Sequence, residues 1–103
     1  MPEEIMLPKT PESYQERAKV MKAMAHPSRL MIVDALEQGE HCVCELTELV
    51  GYDISTVSKH LSVLRAAGIV EDQRRGKLVY YRLKVPCVLN FFHCVESVLR
   101  ARG

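Results

Sequence analysis

The sequence predicts a mainly α-helical domain carrying one small β-hairpin, in the order α-α-α-α-β-β-α, on three observations. Apolar residues recur at three- and four-residue spacing through most of the chain, residues 78–83 change to a period of two, and prolines, glycines and capping residues fall where helices should start and stop. A chain of 103 residues, 48% hydrophobic and 26% charged, fits a single compact domain rather than a disordered or fibrous one. So small a domain leaves much apolar surface uncovered, and a homodimer is the expected remedy.

Residues 1–9 read as a flexible arm. Thr10-Pro11-Glu12 then supplies a capping hydroxyl, a proline suited to the first helical position and an acid in the first turn, predicting a helix over 11–25. Tyr14, Ala18, Met21 and Met24 give it one apolar stripe. Pro27 restarts the chain after His26, which reads as a cap or core residue, and Leu30, Ile32, Val33 and Leu36 carry a second helix to Gly39. A short third helix opens at the stretch HCVCELTEL, with Val43, Leu46, Leu49 and Val50 inward and Gly51 as terminator. Asp53 is placed to cap a fourth, whose inward stripe is Ile54, Val57, Leu61 and Leu64 and whose end is Gly68. In residues 69–83 the period change and the turn Arg75-Gly76-Lys77 predict a hairpin. Pro86 opens a last helix over 86–101, in which Cys87, Phe91, Cys94 and Val98 form one row and Val88, Phe92, Val95 and Leu99 the next. That broad apolar face needs a partner, and helices 11–25 and 86–101 are the expected dimer interface.

A formal net charge of +1 says nothing about nucleic acid, but its distribution does. Residues 54–84 hold Lys59, Arg65, Arg74, Arg75, Lys77, Arg82 and Lys84 against Glu71 and Asp72, a local balance of +5 that leaves −4 for the remainder. The outward face of the fourth helix carries Ser55, Thr56, Ser58, Lys59, Ser62 and Arg65, with no acid among them. Two short helices joined by a glycine-containing turn, spanning 42–67, describe a helix-turn-helix. Hydroxyls and cations on the second helix suit phosphates and base edges. Ser55, Thr56, Ser58, Lys59 and His60 are the expected major-groove residues. A hairpin in this position is a wing, whose Arg74, Arg75 and Lys77 would lie along the backbone or minor groove.

No apolar run reaches the roughly 18 residues of a membrane span, and the acidic start lacks the order of a secretory signal, so a cytoplasmic protein with free thiols is expected. Cys42 and Cys44 then pose a choice between packing, redox chemistry and a metal clamp. Residues two apart on a regular helix point to nearly opposite sides, so the thiols can converge only if the helix start is extended or frayed. On a regular helix both would be partly exposed, and a direct bond between them would close a small, unfavourable ring. Soft thiolates select arsenic(III), antimony(III), cadmium or lead over hard cations. A persulfide or disulfide sensor is the competing reading. Cys87 and Cys94, about 10 Å apart along a helix, could join such a site only across a two-fold axis or against Cys42 and Cys44. A thiol enzyme is disfavoured: there is no nucleophile loop and no Cys-x-x-Cys beside a βαβ pattern.

The order of elements, with HPSRLMIVDAL, CVCEL, STVSKHLSVLRAAGIV and RRGKLVYYRL, resembles the ArsR/SmtB family of metal-sensing winged helix-turn-helix repressors over nearly the whole chain. CVC at that place is similar to the arsenic(III)/antimony(III)-responsive branch and the related cadmium/lead branch. The resemblance implies a homodimer that sits on operator DNA and is released by inducer, with Cys42 and Cys44 on the clamp positions. The third cysteine of the best-known arsenic site is replaced here by Thr47, residues 1–41 hold no cysteine, and of the zinc-type site on the last helix only His93 and Glu96 are present. Cys87 or Cys94, a small thiol or solvent would complete the coordination. Binding is expected to unwind the first turn of the third helix and so disturb the reading helix it supports.

Overall fold

The first helix begins where the sequence supplies its cap. In a computed structural model describing residues 8–102, Thr10 Oγ1 accepts from Ser13 N at 3.2 Å while Ser13 Oγ accepts from Thr10 N at 3.1 Å, and α1 runs Pro11–Met24. The expected arm lies largely outside the described residues. Of the two roles left open for His26, the structure gives it the cap: its Nδ1 accepts from Ser28 N at 3.1 Å and starts α2 (Pro27–Ala35). The helix then tightens into a 3-10 turn over Leu36–Gln38. After it come α3 (Val43–Val50) and α4 (Ile54–Ala66), the latter capped by Asp53, whose Oδ1 accepts from Thr56 N at 3.1 Å. Gly51 closes α3 with φ +86°, a left-handed conformation that costs a glycine little.

The fold class matches the expectation, mainly helical with a small sheet, but the sheet has three strands rather than two. His41–Cys42 form β1, and the hairpin is β2 (Val70–Arg75) and β3 (Leu78–Leu83), all antiparallel in the order β1-β3-β2. Cys42 pairs with Tyr80, and Tyr80 in turn with Gln73. A 3-10 turn at Pro86–Val88 precedes α5 (Leu89–Arg102).

Ile32, Val33, Leu46, Val57, Leu61, Leu64 and Val70 are fully buried and interlock α2, α3, α4 and the sheet. Four elements therefore hold the α3–α4 pair at a fixed angle. No described residue of α5 is buried, and Phe91, Val95, Val98 and Leu99 stay exposed, as do Tyr14, Val20 and Met21 of α1. Between α1, α2 and α5 opens an apolar cleft of about 560 Å³ lined by Met21, Met24, Leu30, Met31, Phe91 and Val95.

Candidate functional site

Cys42 and Cys44 converge because the chain is still extended at the first of them. Cys42 is the N-cap of α3, with φ −77° and ψ 162°, while Cys44 already lies in the first helical turn. An extended N-cap turns its side chain back over that turn, where a serine or aspartate oxygen normally sits. Here a sulfur takes that place: Cys42 Sγ accepts from Glu45 N at 3.4 Å, and Glu45 Oε1 accepts from Cys42 N at 2.9 Å, completing a capping box. The Cα atoms of Cys42 and Cys44 stand 5.4 Å apart and their sulfurs are joined in a disulfide.

This corrects three expectations at once. The 42–44 bond, expected to be disfavoured, is formed, because the cap geometry brings the side chains together. Cys42 is buried, at 4% exposure, rather than partly exposed, since β1 pairing inserts it between α3 and β3, and only Cys44 is open to solvent. No unwinding of the first turn is needed to bring two sulfurs to one atom. His41 Nδ1 lies 3.3 Å from Glu45 Oε1. The Glu45 carboxyl titrates below its ordinary range, chiefly through the Cys42 N–H and then through His41.

Cys87 and Cys94 are exposed, the first in the 3-10 turn and the second on α5. Among the described residues no group of three or more His, Cys, Asp or Glu side chains is arranged so that it could hold a metal ion within one chain. The two sulfurs at the start of α3 are bonded to each other here; reduced, such a pair of thiols suits a soft, thiophilic atom far better than a hard cation.

On α4, Ser55, Ser58, Lys59 and Ser62 form one exposed row, Thr56 is half-buried at the capped turn, and Ser55 Oγ donates to Asp53 Oδ2 at 3.1 Å. The Asp53 carboxyl titrates low because Thr56 and Ser55 donate to it. Lys59, Arg74 and Lys77 are exposed, and none makes an ion pair among the described residues. Arg65 and Arg75, by contrast, are paired with carboxylates. Arg65 Nη1 donates to Asp72 Oδ2 at 2.9 Å, a bond that ties α4 to β2 and sets the wing relative to the helix. Arg75 is engaged by Glu40, with 2.6 Å from Nη1 to Oε1 and 2.9 Å from Nη2 to Oε2. Glu40, Asp72 and Glu71, which holds Arg82 at 2.6 Å, are partners that a count of charge along the sequence does not find.

His60 faces back into the fold. Its ring lies 4.4 Å from that of His26, under the start of α2. Burial first, then His26 and Arg29, push its pKa below the ordinary histidine value of about 6.5. Because the fold disfavours the charged ring, the unfolded chain binds more protons than the folded one once pH falls through that value. Stability is therefore expected to hold above about pH 6.5 and to fall below it. Urea midpoints at pH 7.5 and 5.5 check this; His60→Asn should lessen the difference, and an unchanged difference would assign it to other groups.

The chain matches known regulators along most of its length. The family model described as "Bacterial regulatory protein, arsR family" covers residues 26–72. A biofilm growth-associated repressor of Agrobacterium fabrum is 44% identical over 80 residues, 78% of this chain and 68% of that one. The nodulation protein NolR of Rhizobium meliloti is 34% identical over 99 residues, 93% and 81% of the two chains. Among solved structures, a homodimeric winged helix-turn-helix DNA-binding domain from Mycobacterium bovis superposes with a TM-score of 0.77 at 32% identity, covering 94% of this chain and 93% of the other.

Proposed function

This chain belongs to the arsR family of bacterial regulatory proteins, a family of non-catalytic transcriptional regulators, and from that premise we propose that it is a cytoplasmic homodimeric repressor released from its operator when arsenic(III) or antimony(III) binds Cys42 and Cys44. The observation that carries this reading is the convergence of both sulfurs at the N-cap of α3, the helix packed directly behind α4. The exposed apolar faces of α1 and α5 support the dimer, as does the homodimeric state of the similar Mycobacterium domain. Among the described residues no helix is long and apolar enough to cross a membrane.

With the pair reduced, arsenous acid loses two hydroxyl groups to it: two arsenic–sulfur bonds form, two thiol protons leave in two water molecules, and no electron changes hands. The third position on arsenic keeps hydroxide or takes a small thiol, Cys87 or Cys94. Cadmium, lead or zinc would use the same donors. The disulfide itself supports a second reading, in which oxidation of the pair is the signal. In either case a hundredfold loss of operator affinity requires the closed pair to favour the DNA-incompetent form by about 2.7 kcal/mol.

If Ser55, Ser58 and Lys59 enter the major groove, a dimer should protect two half-sites about 34 Å apart, or a multiple of that. A monomer footprint on an asymmetric site would contradict this. Arg74→Ala and Lys77→Ala should each weaken binding to all sequences alike and flatten the logarithmic salt dependence by roughly 0.9, as phosphate contacts do. A changed base preference would reassign them to readout. To test the function, the reduced protein on a labelled duplex selected from a random pool is titrated with arsenite, antimonite, cadmium, lead and zinc. Release by the first two at the lowest concentrations is expected; release by none of them would overturn the metal reading.

A further inference from the structure

Arg75 belongs to β2, yet its guanidinium lies across the whole sheet. It stacks over the ring of Tyr80 on the central strand, 4.7 Å from the ring centre, and its fork meets the Glu40 carboxylate just ahead of β1 through two parallel bonds. Gln73 Oε1 accepts a third bond, from Nη2, at 2.9 Å. A bidentate arginine–carboxylate pair has the same planar, two-oxygen geometry by which arginine grips a phosphate. The two acceptors compete for one fork. Lys77, across the turn, and the neighbouring Arg74 have no such partner among the described residues.

Glu40 lies two residues before Cys42, and Cys42 pairs in register with Tyr80, the residue on which Arg75 rests. We propose that Glu40 is an intramolecular competitor for DNA phosphate at Arg75, and that closing the Cys42–Cys44 pair holds it in place by fixing β1 against Tyr80. The second half rests on the sensor reading above. In this structure the pair is closed and Arg75 is engaged, the combination expected of the released state. A repressor gains from such a contact because an inducer bound at α3 then alters the wing through a strand only two residues long.

The test is a double-mutant cycle on the reduced full chain, read by anisotropy on one labelled duplex. Glu40→Gln keeps the shape and removes the charge, and should tighten binding about two- to five-fold, the range of an exposed ion pair. In an Arg75→Ala background the same substitution should change nothing. No tightening in either background overturns the proposal, and so does equal tightening in both, which would mark a general effect of removing an anion near DNA. Phenylarsine oxide, which bridges two thiols with loss of one water, then probes the coupling. Wild type should release DNA, and Glu40→Gln should release it with a smaller fold-change. An undiminished fold-change overturns the coupling. Absence of release in wild type overturns the sensor reading and the coupling with it, while the cycle still decides the competition at Arg75.

Discussion

Cys42→Ser is expected to bind operator as tightly as wild type and to lose its response to arsenite, a loss of about a hundredfold in release at saturating inducer. The substitution separates two jobs that one sulfur performs. As N-cap, Cys42 accepts from Glu45 N, and a serine hydroxyl does this at least as well, so α3 and the α4 behind it keep their places. As a ligand, the hydroxyl is a poor donor to a soft ion. Cys42→Ala removes both roles: it should lose the response and also cost up to about 1 kcal/mol of stability, since the Glu45 N–H loses its partner. Cys44→Ser, at an exposed position outside the cap bond, should lose the response with no change in stability. Equal unfolding midpoints for the three variants would contradict the cap role, and retained release by either serine variant would contradict the ligand role.

Leu61→Ala is expected to lower stability by about 2–5 kcal/mol, a large share of what a domain of this size has. Leu61 is fully buried where α4 meets the core, so its side chain leaves a cavity that four packed elements cannot collapse around. Val98→Ala, at 61% exposure on α5, is the matched control. It should leave the fold of one chain intact and weaken the dimer, so that its unfolding midpoint becomes lower and less dependent on protein concentration. Urea unfolding at two protein concentrations checks both, and a Leu61→Ala loss below about 1 kcal/mol would contradict the assigned core.

What the sequence made legible is what local chemistry decides. Thr10, His26 and Asp53 cap helices through bonds to residues two or three positions on, and Gly51 ends α3 by a conformation of its own. Of the expected inward stripe of α4, Val57, Leu61 and Leu64 are buried, while Ile54 in the first turn is exposed, because the core does not reach that end of the helix. β1 was not legible, because two residues carry no period and their partner strand lies some forty positions away. With β1 went the extended backbone at Cys42, hence the burial of that sulfur and its bond to Cys44. The basic patch was legible only as a sum. Which cations are engaged depends on Glu40 and Asp72 reaching Arg75 and Arg65 across the sheet and from the wing, and a count of charges carries no such geometry.

The most direct measurement of the central claim is one arsenite titration of reduced protein on its duplex, run in parallel for wild type, the Cys42→Ser/Cys44→Ser double variant and the Cys87→Ser/Cys94→Ser double variant. The account predicts that wild type and the Cys87/Cys94 variant release DNA, the latter with at most a partial shift in sensitivity, while the Cys42/Cys44 variant stays bound throughout. Release by the Cys42/Cys44 variant together with retention by the Cys87/Cys94 variant would place the sensor on α5 and contradict the account.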